Sequence, residues 1–328
     1  MKSLRSGLPF SFLLAALALA CPAGAAPAPG YPARPIRMIV SGGPGGGVDT
    51  ISRLIGQKMT EDLGQPVVSE NRPGAGTMLA TELVAKAPPD GYTILLTTNS
   101  LSINAAVRKI NLDPLADLAA ITLVASAPDI LVANPRLPAK NVQEVMALAR
   151  EKPGKITFGS AGTGSGTHMD GELFKSLAGI DILHVPYKGG SQALADLLGG
   201  HIDLMFMNPI GVLGQVRRGD ARALAVSTTS RLPLLPEVPT LAEAGVPGYD
   251  SGVWYAAFAP AGTPADIVDA LHRAIVQALK SPAVEKELQS LGAQVVGSSP
   301  RDFHAYLAAD IARWQKVVQG NPKLRIAD

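Results

Sequence analysis

Ile36-Arg37-Met38-Ile39-Val40 runs into Ser41-Gly42-Gly43-Pro44-Gly45-Gly46-Gly47-Val48-Asp49, and an amphipathic helix predicted over Thr50 to Leu63 follows at once. An apolar strand, a glycine turn and a helix are the opening of an α/β unit. Glycines let backbone N–H groups approach a ligand with no Cβ in the way. A helix start adds unpaired donors and the positive end of its dipole. Together they make a seat for a carboxylate, phosphate or sulfate. A plain tight turn with Asp49 as N-cap is the other reading of the same residues.

Downstream, Pro66 to Glu70 reads as a second strand, a helix ends at Ala85, and Tyr92 to Thr98 reads as a third strand. Such alternation implies a parallel sheet covered by helices. The rhythm then breaks at the Pro- and Asp-containing turn Leu112 to Asp117. Ala120 to Ala133 follows as a long extended apolar stretch interrupted at Pro128. A second α/β block runs from the helix Val142 to Arg150 through the strand Arg222 to Ser227. Within it lie strands Ile156 to Gly159, Ile182 to Val185 and Ile202 to Met207, and helices Met169 to Ala178, Gln192 to Leu198 and Val212 to Arg218. The proline-rich passage Leu232 to Pro247 leads to extended Val253 to Pro260. Three helices, Pro264 to Lys280, Pro282 to Leu291 and Pro300 to Gln319, then start on prolines. The two extended passages join blocks that look complete on their own, as crossover strands between two lobes would. The expected architecture is therefore α/β and two-lobed, a venus flytrap closing on a ligand. Lobe 1 is expected over 31–125 and 250–328, and lobe 2 over 126–249.

The second block repeats the first motif. Its strand enters Ser160-Ala161-Gly162-Thr163-Gly164-Ser165-Gly166-Thr167-His168, whose amides and short hydroxyls would face a second acceptor group. Two such loops, one per lobe, fit one ligand clamped between two helix N-termini; a solvated flexible loop is the alternative. Tyr187 and Lys188 lie at a third strand-to-helix corner, as a possible lid or hydrogen-bond donor and a possible counter-charge. Asn208, and Thr98, Asn99 and Ser100, sit at strand C-terminal ends, where open α/β sheets bind ligands. Trp254 and Tyr255 are expected to pack in the hinge. The candidate ligand-binding set is thus Gly43, Pro44, Gly45, Gly46, Gly47, Asp49, Asn99, Ser160, Gly162, Thr163, Ser165, His168, Tyr187, Lys188 and Asn208.

Lys2 and Arg5, the apolar Leu8 to Ala20 and Ala23-Gly24-Ala25 read as a signal peptide over residues 1–26. The protein is accordingly expected to be exported and soluble. Cys21 precedes the expected cut, leaving no cysteine in the mature chain. Ala18-Leu19-Ala20-Cys21 loosely resembles a lipoprotein site, but Leu beside the −3 Ala is atypical, so a free rather than lipid-anchored form is expected. Losing Lys2 and Arg5 takes the 29 basic residues to 27, equal to the 27 acidic ones. No basic stripe for nucleic acid results. No strict G-x-G-x-x-G, P-loop or G-x-S-x-G elbow occurs. His168, His184, His201, His272 and His304 have no metal-ligand spacing. No catalysis, metal or cofactor is expected. The rival enzyme reading is a secreted hydrolase using Ser160, Ser165 and His168.

The chain resembles the tripartite tricarboxylate transporter substrate-binding receptors, the Bug family. The resemblance is carried by Tyr31-Pro32, Arg34 to Val40, Pro44-Gly45-Gly46-Gly47, Asp49, Leu63 to Val68, Glu70 to Gly76 and Pro89 to Thr93. It continues through Gly159-Ser160, Gly164-Ser165, His168, His184 to Gly189, Asp196 to Gly200, Leu235 to Thr240 and Ala259 to Pro264. It implies a type II periplasmic binding fold, monomeric, that hands a small carboxylate to membrane permease subunits. The acid would be a di- or tricarboxylate, an acidic amino acid or an aromatic, nicotinate-type acid. A ligand-dependent adaptor docking on a membrane sensor is the alternative. In the family the carboxylate rests on backbone groups and bridging waters at the first glycine loop. This chain departs from the family at Ser41-Gly42-Gly43, where Pro-Phe-Pro is typical, and at Val48, where Thr or Ser is frequent. The first departure implies a wider pocket or a looser loop; the second removes a hydroxyl.

Overall fold

The computed structural model describes residue 1, residues 30–320 and residues 322–326; the signal peptide and Cys21 readings lie outside the described residues. In β1 (Ile36–Val40) every residue but Arg37 is buried, because both faces of the strand are covered. The first βα units continue as α1 (Gly47–Leu63), β2 (Val67–Asn71), α2 (Met78–Ala85), β3 (Thr93–Thr98) and α3 (Ser100–Val107). β4 (Leu118–Ala127) then passes through Pro128-Asp129 into β5 (Ile130–Ala133). The second set is α4 (Val142–Glu151), β6 (Thr157–Ser160), α5 (Gly166–Ala178), β7 (Leu183–Pro186), α6 (Gly190–Gly199), β8 (Leu204–Met207), α7 (Pro209–Arg218) and β9 (Arg222–Val226). The chain ends with β10 (Val253–Pro260), α8 (Ala265–Leu279), α9 (Pro282–Ser290), β11 (Gln294–Val295) and α10 (Pro300–Gly320).

Two sheets result, ordered β11-β4-β10-β3-β1-β2 and β7-β6-β8-β5-β9. The βα strands are parallel, as their helical crossovers require. Both sheets are mixed, because the crossover strands join the parallel βα strands running the other way. β10 runs antiparallel to β3 and β4, and β5 antiparallel to β8 and β9. The reason is where these strands enter. Tyr255 of β10 pairs with Thr98 at the end of β3, and Ile130 of β5 with Met207 at the end of β8. A strand arriving from the other lobe enters at the cleft edge and must run away from it.

Each sheet has a core on both faces. Met38 and Val40 pack toward α1 and α8, while Ile39 shares the opposite face with Trp254, Phe258 and Phe303. Phe158 and Phe206 fill one side of the second sheet, and Val132 and Met205 the other. Asp310 of α10, 4 % exposed, accepts from Ser102 Oγ at 2.5 Å and Trp254 Nε1 at 2.9 Å. That bond explains why Trp254 is a packing residue, as read from its position.

Three local readings change. α1 begins at Gly47 and α5 at Gly166, each three residues before the expected start. Asp49 is therefore inside the first turn, and Gly46 is the N-cap. α3 was not foreseen. Its buried face carries Ser100, Ser102 and Asn104, which dilute the apolar period. Among the described residues, no helix is long and apolar enough to cross a membrane.

Candidate functional site

A cavity of about 100 Å³ opens between the sheets, and the first turns of five helices reach it. Gly46, Gly47 and Val48 come from α1, Asn99 and Ser100 from α3, and Ser165, Gly166 and Thr167 from α5. Gly189, Gly190 and Ser191 come from α6, and Asn208 from α7. All lie at strand C-terminal ends, so each helix points its positive end inward.

The first corner keeps its amides open. Among the described residues, the N–H groups of Gly47, Val48 and Asp49 have no acceptor, and Gly46 offers no side-chain cap. Asp49 does not line the cavity. Its carboxylate accepts from Gly45 N at 2.9 Å, Asn71 Nδ2 at 3.0 Å and Arg53 Nε at 3.1 Å. Burial opposes its charge, but the Arg53, Gly45 and Asn71 hydrogen bonds win and hold its pKa below the ordinary value. Asp49 is thus the brace of the loop. Gly45, at φ +75°, adopts a left-handed turn that presents its amide to that brace. Pro44 also stays off the cavity wall; its carbonyl accepts from Ser191 Oγ across the cleft at 2.9 Å.

The Gly42 and Val48 departures form one packing unit. A Cβ on Gly42 would lie 2.4 Å from Val48 Cγ1, so the valine fills the room the glycine leaves. Gly43 faces open space on the cavity wall.

The second corner spends most of its amides within the protein, only those of Thr163 and Thr167 having no acceptor among the described residues. Ala161 N donates to Thr167 Oγ1, Gly162 N to Ser160 Oγ, Gly164 N to His168 Nδ1 and Gly166 N to Ser100 Oγ. Ser165 is the N-cap of α5, accepting from His168 N at 3.2 Å. Of the residues predicted here, only Ser165 lines the cavity; Ser160, Gly162, Thr163 and His168 stand behind it. Ser160 is fully buried, with Oγ 2.7 Å from His184 Nε2. His168 stacks on His184 with centroids 4.0 Å apart. Burial, reinforced by nearby positive charge, pushes His168 down to about 3 and His184 to about 4, so both rings are neutral. With Nδ1 accepting from Gly164 and the ring this acidic, His168 is no general base for Ser165.

Tyr187 is turned away from the cavity, its hydroxyl donating to Asp196 Oδ2 at 2.6 Å. Burial and that carboxylate push its phenol up to about 12. Lys188, exposed, and Asn208 do line the cavity, the latter capping α7 through Gly211 N. Tyr255 packs in the core of the first sheet, as its place on the crossover strand leads one to expect, but it also lines the cavity and its buried hydroxyl has no partner among the described residues. Ser41 Oγ and Thr77 Oγ1 are also buried, unpartnered and on residues of this wall, whereas Asp129, buried on the same wall, is hydrogen-bonded to Asp170 of α5. Asp129 was missed in the sequence, although it is the one charge in the apolar crossover from Leu118 to Ala133.

Two further bonds join the lobes. Asn104 Nδ2 of α3 donates to Gly164 O at 3.0 Å, and Gly166 N reaches Ser100 Oγ at 3.0 Å. Closure also leaves no room at Gly47, where a Cβ would lie 2.6 Å from Asn208 Oδ1 and 2.7 Å from Tyr255 Oη.

A family profile described as "Tripartite tricarboxylate transporter family receptor" matches residues 51–322. Protein BugT of Bordetella pertussis is 38% identical over 292 residues, covering 88% of this chain and 90% of BugT. The solved periplasmic binding protein BugD superposes with a TM-score of 0.86 at 33% identity, covering 88% of this chain and 98% of that one. An R. palustris protein solved with adipate gives a TM-score of 0.84 at 36% identity, over 88% and 97% of the two chains. MatC from Rhodopseudomonas palustris with bound malate gives 0.85 at 33% identity, over 88% and 100%.

Proposed function

The chain belongs to the tripartite tricarboxylate transporter receptor family, and on that premise we propose that it captures a small carboxylate in the cavity between its lobes. The observation that carries this reading is the convergence of five helix N-termini on one cavity, three amides of α1 having no acceptor among the described residues. Backbone donors and helix dipoles favour an anion without a fixed counter-charge. The carboxylates of the adipate- and malate-bound neighbours support choosing a carboxylate over phosphate or sulfate.

The carboxylate rests on the amides of Gly47 and Val48, with Gly190 and Ser191 of α6 closing from the other lobe. Ligand binding favours the closed arrangement, because only there do both sets of donors reach it. The protein works outside the cytoplasm and delivers its ligand to membrane permease subunits. Isothermal titration with a panel of carboxylates, inorganic phosphate and sulfate tests the binding step. Saturable binding of a carboxylate, with the inorganic anions at least tenfold weaker, is expected; binding of phosphate or sulfate alone would overturn the reading. Recovery of a permease subunit on the ligand-loaded protein, and not on the empty one, tests delivery.

A further inference from the structure

Lobe 1 turns two hydroxyls toward the cavity that no protein group answers. Ser41, at the end of β1, is 3 % exposed and lines the wall, and its Oγ has no hydrogen-bond partner among the described residues. Thr77 lines the same wall from the start of α2, and its buried Oγ1 is likewise without a partner. β1 and β2 are neighbours whose ends pair at Val40 and Asn71, so the two corners lie side by side.

The backbone at Thr77 is what frees its hydroxyl. A threonine at a helix N-cap ordinarily has extended backbone and accepts from an amide of the first turn. Here φ is +82° and ψ −10°, and no such bond forms. Left-handed backbone is an outlier for a β-branched residue and is strained. Among the described residues the only other non-glycine with positive φ is Ala75, two positions earlier. Gly74 at +133° and Gly76 at +61° make four consecutive residues of positive φ.

That turn is also where the lobes meet. Gly76 O accepts from Asn104 Nδ2 at 2.8 Å, and the same nitrogen donates to Gly164 O of lobe 2 at 3.0 Å. Arg108 Nη2 donates to Ala75 O at 2.9 Å. A Cβ on Gly76 would lie 2.6 Å from Thr163 O, so the turn is flush against the second corner. One short segment therefore touches the cavity with a hydroxyl and the opposite lobe with its backbone. With the lobes closed and no ligand, the two hydroxyls are dry and unanswered, a cost that opening relieves by admitting water. A ligand oxygen set against them relieves it without opening.

We propose that Ser41 and Thr77 are ligand contacts, and that Thr77 couples occupancy to closure, a bond from its hydroxyl to the bound acid holding the 74–77 turn in the shape that docks on lobe 2. This rests on the carboxylate reading above and adds to it the residues that report the ligand to the other lobe. Each hydroxyl can donate to an anion with no change of protonation. Ligand then shifts the population toward the closed form through a contact that the open form does not hold in place.

Titration calorimetry on the mature protein with acetate, succinate, malate, adipate and benzoate selects the tightest probe, which is then titrated into variants. Thr77→Val keeps the branched shape and deletes the hydroxyl; it is expected to weaken the probe at least about tenfold, roughly 1.4 kcal/mol. Thr77→Ser keeps the hydroxyl and is expected to stay within about threefold of wild type. A role in packing alone gives the reverse order and would overturn the inference. Thr77→Gly removes hydroxyl and strain together, so affinity should fall as for valine while the melting midpoint of the empty protein rises by about 2 °C. A midpoint that does not rise would count against the strained turn. Ser41→Ala is expected to cost at least about fivefold, and no loss would strike Ser41 from the site. Small-angle scattering at saturating probe reads the coupling: Thr77→Ser should compact as wild type does and Thr77→Val less, and equal compaction would overturn it. If Thr77→Val does not fold, Thr77→Gly, whose backbone tolerates this φ, must show the tenfold loss. If wild type and Thr77→Val bind the probe equally, this inference falls and the carboxylate reading stands. If wild type binds none of the probes, both fall.

Discussion

In the first glycine corner the amides of Gly47, Val48 and Asp49 end without acceptors; in the second, Ala161, Gly162, Gly164, Gly166 and His168 all find one. Both corners join a strand to a helix, and both are rich in glycine. The difference lies in the residues between the glycines. Ser160, Ser165, Thr167 and His168 supply acceptors from within the second loop and Ser100 of α3 accepts from Gly166, so that of its cavity-lining residues only Thr167 has an amide without an acceptor among the described residues. The first loop offers only Asp49, whose carboxylate is committed to Gly45, Asn71 and Arg53. A hydroxyl-rich loop caps itself, and a glycine-rich one leaves its donors for a ligand.

The sharpest way to break this contrast is Gly47→Ala. The new methyl would press on Asn208 and Tyr255 and hold the lobes apart, so ligand affinity should fall by about a hundredfold or more, near 2.7 kcal/mol, in titration calorimetry. An unchanged affinity would mean the ligand does not need the first corner closed. Asp49→Asn comes next. Losing charged hydrogen bonds to Arg53 and Gly45 should cost about 2 kcal/mol of stability in denaturant unfolding. Because the Asp49 pKa is lowered on folding, its contribution is present above the unfolded value and lost as pH falls through the folded one. The variant should therefore lack the wild type's added acid sensitivity below about pH 4.

On the other side, Ser165→Ala removes the cap on α5 and should cost about 1 kcal/mol of stability. Ligand affinity should move less than about threefold, since the amides that hold the carboxylate belong to the first corner; a loss comparable to Gly47→Ala would erase the distinction. The effect smallest at neutral pH, and growing only in acid, concerns His184. Its folded pKa, pushed down to about 4, lies below the unfolded value of about 6.5. Stability is full above that unfolded value and falls as pH drops toward the folded one. His184→Phe should flatten the stability–pH curve in that window, and an unchanged slope would place the titration elsewhere.

β3, β5 and β8 were legible because they are buried on both faces, and the passage between the sheets because Pro128 interrupts an otherwise continuous apolar run. The helix starts were not, since Gly47 and Gly166 are poor helix formers held in first turns by their contacts with the opposite lobe. α3 hid its period behind buried Ser100, Ser102 and Asn104. In the site, Gly43, Gly46, Gly47, Lys188, Asn99, Ser165 and Asn208 could be placed at the cavity from their positions at strand ends, but Gly45 and Gly162 do not line it. Tyr187 could not. Its partner Asp196 lies nine residues on, in the following helix, and only the fold of that corner brings them together. Asp129 showed a usable signal, a lone acid after a proline in an apolar crossover, but its pairing with Asp170 needs the fold.

Three hydrogen bonds seen across the cleft among the described residues, Ser191 to Pro44, Gly166 to Ser100 and Asn104 to Gly164, also act on time. Taken at about 1 kcal/mol each, they slow reopening by roughly a hundredfold when all must break before the ligand can leave. Residence time is then set partly by protein–protein contacts that never touch the cargo. A docking partner that prised Ser191 from Pro44 would hasten unloading while leaving every ligand contact intact.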